Sequence, residues 1–392
     1  MDARKIQQIQ GELARQGIDG WLIYDFHGKN DIAVRFLGLS GIITRRSFYL
    51  IPASGTPVAF VHAIEKKPYD KVPGQKIYFS SYLILEEELR KALAGKRRLA
   101  MDYSPFGRLP YIAKADAGTV ELIRSFGVEV VSSANLVAKF DACLTSEQVA
   151  SHYEAMQQLC AIKDASFNLI KKRVDTGKKI TEYDIVHFIL DCFEKAGMIT
   201  DDEPICAVGS NSGNPHYVPT KSGAAAIKRD DLVLIDLWAK LNKPHSVYAD
   251  ITWMGYTGSS IPEDYAGNFS LVCMARDAAV KYLREHWGKE RIYGYQVDDV
   301  CRSVITHADL GNFFNHRTGH SIAEDTHGPG PNIDNLETED RRQLMPGHLF
   351  SIEPGLYFDD YGVRTEINVL ITETGPQITQ SPIQQEIIRL FA

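Results

Sequence analysis

Two regimes of hydrophobic and polar positions follow one another along the chain. Up to about residue 140, an amphipathic stretch over Ile6 to Gln16 is followed by short apolar runs: Trp21-Leu22-Ile23-Tyr24, Phe48-Tyr49-Leu50-Ile51, Val58-Ala59-Phe60-Val61 and Leu99-Ala100-Met101. Short apolar runs interleaved with helical periodicity predict strands alternating with helices, the pattern of an α/β layer. The pattern changes at Leu144-Thr145-Ser146-Glu147, where Thr145 with Gln148 three residues on makes a capping box ahead of a long amphipathic helix. Two domains are expected, 1–143 and 144–392.

Beyond the boundary one plan runs twice. A helix pair at about 146–172 and 181–197 precedes a strand-rich segment from Leu232 to Tyr256, and a second pair at about 262–287 and 296–309 precedes another from Leu349 to Thr372. The doubling suggests an internal pseudo-repeat and an α+β second domain.

Composition narrows the partners. At 392 residues the chain exceeds the size of one hydrophobic core, and 44% hydrophobic with 24% charged residues describes an ordinary globular protein. The net charge of -7 is spread without a basic block that could track a phosphate backbone, which argues against nucleic acid. The six cysteines are far apart and form no C-x-x-C pair, so buried reduced thiols are expected. The N-terminus lacks the apolar core of a secretory signal, and no apolar run approaches the ~18 residues that span a bilayer. A cytoplasmic protein without a membrane partner is the expectation.

The candidate chemistry lies in the two strand-rich segments. Asp236 sits in Leu232-Val233-Leu234-Ile235-Asp236-Leu237-Trp238, and Asp250 in Val247-Tyr248-Ala249-Asp250-Ile251-Thr252-Trp253. A carboxylate among Leu, Ile and Trp needs a cation or a hydrogen-bonding partner. The polar tip between them is centred on Lys243, so a plain hairpin would set Asp236 opposite Asp250. Glu353 and Glu366 flank a second turn, centred between Asp359 and Asp360. Four carboxylates on two hairpins make an oxygen-rich cage suited to Mn²⁺, Co²⁺ or Zn²⁺. Imidazoles follow in Asn315-His316-Arg317-Thr318-Gly319-His320 and at His327, and His216 lies in a Gly/Pro/Asn-rich loop before the first hairpin. A glycine beside a ligand histidine allows close backbone approach.

The order Asp, Asp, His, Glu, Glu, with His-x-x-Gly-His before the glutamates, then Glu-Pro-Gly-x-Tyr and Gly-Val-Arg-x-Glu, resembles the pita-bread metallopeptidases, the family of prolidase, aminopeptidase P, methionine aminopeptidase and creatinase. The α/β domain ahead of it is similar to the prolidase, aminopeptidase P and creatinase branch. The resemblance implies a smaller creatinase-like N-terminal domain and a pita-bread catalytic domain holding two divalent metal ions, Mn foremost, with Co or Zn as alternatives. It makes Asp236, Asp250, His320, Glu353 and Glu366 the metal ligands. Glu353 would also serve as the catalytic acid/base, with His216, His316 and His327 around the substrate. Arg364 of the Gly-Val-Arg-x-Glu motif would be a further substrate-binding residue.

The implied activity is hydrolysis of the Xaa-Pro bond, foremost in Xaa-Pro dipeptides, by a water activated between two metal ions. A Xaa-Pro aminopeptidase on longer peptides, a creatinase-like hydrolase and a non-catalytic binding module are the alternatives. The branch further implies a homodimer, with His27-Gly28-Lys29-Asn30-Asp31 as a loop that could help close an active site. Three departures stand out: the long Asp236–Asp250 interval, Ser321 and Ala323 where glycines commonly follow the ligand histidine, and no clean match for residues gripping a proline carboxylate. Ser321 and Ala323 are expected to narrow the space beside the metals, and the nearby Arg341 and Arg342 read as surface arginines.

Overall fold

The short apolar runs near the N-terminus become the strands of a mixed six-stranded sheet in the computed structural model, which describes residues 1–391. Its strands are β1 (Gly20–Asp25), β2 (Ser47–Pro52), β3 (Val58–His62), β4 (Gln75–Phe79), β5 (Arg98–Met101) and β6 (Glu129–Ser132), in the order β4-β3-β2-β1-β5-β6. The helices are α1 (Ala3–Arg15), α2 (Asp31–Leu37), α3 (Tyr82–Leu93), α4 (Ala117–Ser125) and α5 (Ala134–Phe140). Successive side chains leave a strand on opposite faces. Trp21 and Ile23 therefore pack with Ile9, Phe36 and Val137, while Leu22 and Tyr24 pack with Leu85, Leu89 and Ile123. Both faces are covered by helices, which is why these strands read as unbroken apolar runs rather than as alternation. The segment after β1 is a tight turn: Asp25 accepts from Gly28 N and Asn30 N, both at 2.9 Å, and the Asn30 side chain caps α2.

The chain divides into two compact units, Met1–Asp141 and Ala142–Ala392. The second opens on α6 (Ser146–Asp175), whose Thr145–Gln148 capping box is present. Then come α7 (Glu182–Lys195), β7 (Met198–Ile199), β8 (Ile205–Val208), the hairpin β9 (Leu232–Leu241) and β10 (Ala249–Tyr256), α8 (Glu263–His286) and α9 (Gly294–His307). The four predicted helices match in type and lie within three residues at each end. Last come β11 (Leu349–Ile352), β12 (Gly355–Tyr357), β13 (Gly362–Arg364), β14 (Ile367–Thr372), β15 (Gly375–Ile378) and β16 (Ile388–Arg389). The plan thus does run twice, a helix pair before each carboxylate-bearing hairpin. Odd-numbered β9 residues, Val233 to Ala239, face the helices α6 and α7. Leu232 and Leu234, on the face that also carries Asp236, join the core under α8 and α9.

Carboxamides stitch β10 to the C-terminal strands. Asn368 of β14 accepts from Asp250 N (3.0 Å) and donates to Asp250 O (2.8 Å), and Gln384 does the same for Met254 (2.9 and 2.7 Å). Each amide imitates the paired donor and acceptor of a neighbouring strand, holding one hairpin against the other. Among the described residues there is no disulfide, and no helix is long and apolar enough to cross a membrane.

Candidate metal centre

The first hairpin departs from the expected register. Asp236 lies opposite Thr252 and Asp250 opposite Trp238, so the two aspartates are diagonal neighbours instead of facing each other. The tip is not a plain turn: His245 takes a left-handed φ of 60°, and Ser246 N and Oγ both donate to Lys243 O. The resulting slip is of two residues, and an even slip keeps every side chain on its own face. Asp236, Asp250 and Thr252 therefore still share one face.

The second hairpin keeps the expected register. Leu349 pairs with Leu370 and Gly355 with Arg364, both centred between Asp359 and Asp360, and Thr365 N donates to Pro354 O (3.4 Å) in the same register. Glu353 thereby stands across from Glu366. Residues 318–322 run beside β11, with Glu353 N donating to Thr318 O (2.7 Å), Ser351 N to His320 O (2.9 Å) and Ile322 N to Leu349 O (2.8 Å). A Cβ on Gly319 would lie 1.9 Å from Ser351 O, so only glycine permits the approach that brings in His320.

Single ligand atoms of Asp250, His320 and Glu366 lie within 4.8 Å of one another. His320 Nε2 is 3.6 Å from Asp250 Oδ2 and 3.3 Å from Glu353 Oε1. Asp236 joins through Arg364, whose Nη2 donates to Asp236 Oδ2, Nε to Thr252 Oγ1 (3.0 Å) and Nη1 to the Tyr357 hydroxyl (3.1 Å). The Thr252 hydroxyl donates to Glu366 Oε2 (2.9 Å). One oxygen of each buried carboxylate, Asp236 Oδ1, Asp250 Oδ1 and Glu366 Oε1, has no partner.

Such groups are costly unless a proton or a cation takes them up. Burial, opposed by Arg364 and reinforced by Asp250 and Glu353, pushes Asp236 up to about 7. Burial likewise raises Asp250, and it raises Glu366 well above the usual carboxylate value. Glu353 goes the other way, because His320, His316 and Arg364 together outweigh its burial and hold it low. Unpartnered buried oxygens beside an imidazole are the donor set a divalent cation of the first transition row takes. The residues present fit such an ion.

The other predicted residues surround this cluster in different ways. The His327 ring stands edge-on to His320 with centroids 4.4 Å apart, and the charge on His320 pushes it down to about 3. His316 is pushed down to about 4 by burial; its Nδ1 is 2.7 Å from Arg317 O and its Nε2 2.8 Å from the Tyr357 hydroxyl. His216 is exposed on its loop.

Two expectations are corrected. Arg342 is buried rather than superficial: it pairs with Asp340 and donates to Pro329 O (2.7 Å), holding the loop that follows His327. The Ser321 hydroxyl accepts from Gly330 N (3.0 Å), so it fills space beside that loop, where a Cβ on Gly330 would lie 2.5 Å away. Thr252, Ser351, Tyr357 and Asn368 were missed as parts of the site. Thr252 was legible, since two residues from Asp250 along a strand is the same face, and Tyr357 lies in the quoted Glu-Pro-Gly-x-Tyr motif. Ser351 and Asn368 carried no signal of their own.

A family model, metallopeptidase family M24, matches residues 154–373, more than half of the chain. A Xaa-Pro dipeptidase of Pyrococcus horikoshii is 28% identical over 294 residues, 74% of each chain. Two solved structures share the fold. One is the dipeptidase PepE of Mycobacterium ulcerans (TM-score 0.73, 22% identity, covering 100% of this chain and 98% of that one). The other is the X-Pro aminopeptidase of Thermotoga maritima (TM-score 0.64, 20% identity, 98% and 99%). A pita-bread fold thus carries a buried cluster able to hold a divalent metal, the constitution of a metal-dependent hydrolase. The chain belongs to metallopeptidase family M24.

Proposed function

We propose that this protein hydrolyses the Xaa-Pro peptide bond, foremost in Xaa-Pro dipeptides, with two divalent ions held by Asp236, Asp250, His320, Glu353 and Glu366. The observation that carries the proposal is the set of unpartnered buried oxygens on Asp236, Asp250 and Glu366. The likeness to a Xaa-Pro dipeptidase over three quarters of the chain supports the choice of substrate. When bound, the ions polarise the scissile carbonyl and make a water acidic enough to attack it near neutral pH.

The chain's own groups do the rest. Ser351 Oγ donates to Glu353 Oε1 (2.9 Å) and orients a carboxylate that stays charged, suited to taking the attacking water's proton and delivering it to the leaving nitrogen. His327, neutral beside His320, can donate a hydrogen bond to the substrate, a role we also assign to His216. His316, with both ring nitrogens engaged, acts through Tyr357. Arg364, its three nitrogens taken by Asp236, Thr252 and Tyr357, holds Asp236 rather than a substrate carboxylate.

Reconstitution with Mn²⁺, Co²⁺ and Zn²⁺ in turn, followed by elemental analysis, tests the centre; about two ions per chain are expected. Turnover of a Xaa-Pro dipeptide, a Xaa-Pro-Xaa tripeptide and a Xaa-Ala dipeptide then tests the substrate, with the first fastest. A protein that stays metal-free at saturating concentrations of all three ions sinks the proposal.

A further inference from the structure

Helix α7 opens on Thr181 with a reciprocal Thr181–Asp184 cap. The next residue, Glu182, occupies a first-turn position where an acid ordinarily faces water near the positive end of the helix. Here it is wholly buried. Its Oε1 accepts from Val208 N (2.8 Å) and Asn211 Nδ2 (3.0 Å), and its Oε2 from the Tyr217 hydroxyl and Ala225 N, both at 2.7 Å. These four donors span one segment end to end. Val208 closes β8, Ala225 returns to the start of α7 where its carbonyl accepts from Glu182 N (3.1 Å), and Asn211 and Tyr217 lie between. The segment has no regular structure besides a 3₁₀ turn at Gly209–Gly213, so it depends on side chains for its shape.

The far side of the same segment rests on the β12–β13 hairpin. Ser212 Oγ accepts from Gly362 N (2.9 Å), and a Cβ on Gly213 would lie 2.2 Å from Phe358 O. His216 stands between these two sets of anchors. His216 is among the neighbours that push His327 down, and His327 packs edge-on against His320.

We propose that Glu182 is a positioning residue whose carboxylate holds segment 208–225, and with it His216 and Tyr217, in the conformation that meets the substrate. What the segment does for catalysis rests on the function proposed above; the tether itself does not. A carboxylate is acceptor-only and matches four convergent donors, whereas a carboxamide would turn its own N–H groups toward two of them and leave a backbone N–H, that of Val208 or of Ala225, unpaired.

The test uses the full-length, metal-loaded protein. Glu182→Gln should raise amide hydrogen exchange across 209–224 by about ten-fold or more relative to the parent, with β9, β10 and the metal ratio unchanged. On a Xaa-Pro dipeptide its kcat should fall by about ten-fold, and in a His216→Ala background the same change should cost less than about two-fold, because residues acting through one another are not additive. Tyr217→Phe removes one donor without changing shape; it should shift exchange in the same direction by a few-fold, roughly, and serves if the Gln variant does not fold. Unchanged exchange in both variants overturns the proposal, as does a Glu182→Gln effect that multiplies with His216→Ala. If the parent proves inert toward Xaa-Pro peptides, the function proposed above falls, and the exchange measurement alone decides the tether.

Discussion

Asp236, Asp250 and Glu366 hold opposite protonation tendencies to Glu353 although all four share one site. Burial raises the first three, and the positive neighbours of Glu353 keep it charged. Raised carboxylates in the fold bind protons that the unfolded chain has already released. Their contribution to the stability of metal-free protein is therefore full below about pH 4 and is lost as pH rises through about 7, the value for Asp236. A metal ion replaces those protons, so the rise in melting temperature on adding Mn²⁺ should grow between pH 5 and pH 8, roughly. Thermal melts with and without metal at several pH values check this, and a pH-independent rise would refute it. Glu353→Gln keeps the shape and the Ser351 contact but removes the proton acceptor. Turnover should fall by about 10²-fold or more while circular dichroism stays that of the parent. Activity within a few-fold of the parent would take Glu353 out of the chemistry.

Segments are placed here by contacts that exclude a side chain or supply one. Residues 318–322 lie against β11 because Gly319 has no Cβ to strike Ser351 O, and β10 lies beside β14 because Asn368 and Gln384 complete its backbone hydrogen bonds. Gly319→Ala should therefore push His320 off β11, costing about 1–3 kcal/mol of stability and most of the metal affinity. Urea unfolding and metal titration measure the two effects; a variant that binds metal like the parent would show that the strand can yield. The hairpin β9–β10 illustrates the other side of the same rule, since its tip absorbed a register slip of two residues without moving a carboxylate to the wrong face.

Across the whole molecule the buried apolar residues separate cleanly. Two clusters draw only on residues up to Phe140, and the other three only on residues from Leu144 onward. Each unit thus has its own core. Calorimetry of the intact chain should show two transitions, of which saturating metal raises only one, by about 2.7 kcal/mol at a hundred-fold excess over Kd. A single transition that moves as a whole would mean that the units unfold together. The homodimer proposed with the prolidase branch is tested separately, by light scattering at micromolar concentration, and a monomer there would refute it without touching the metal centre.

Much of this architecture was legible in the chain itself. Apolar runs, the Thr145 cap and the doubled helix-pair plan follow from local periodicity and capping chemistry, which act over a few residues and need no partner. The acids and imidazoles of the site stood out for the same reason: Asp236 and Asp250 are polar residues inside apolar runs. What they touch was decided only by the tertiary structure. Arg364 pairs with Asp236 across 128 positions of chain, Asn368 completes the backbone at Asp250 across 118, and Glu182 gathers donors as far away as Ala225. Arg342 passed for a surface residue because nothing in its own neighbourhood announces burial. A buried charge must find whichever donors the packed fold brings within about 3 Å, and that depends on how distant segments are laid side by side.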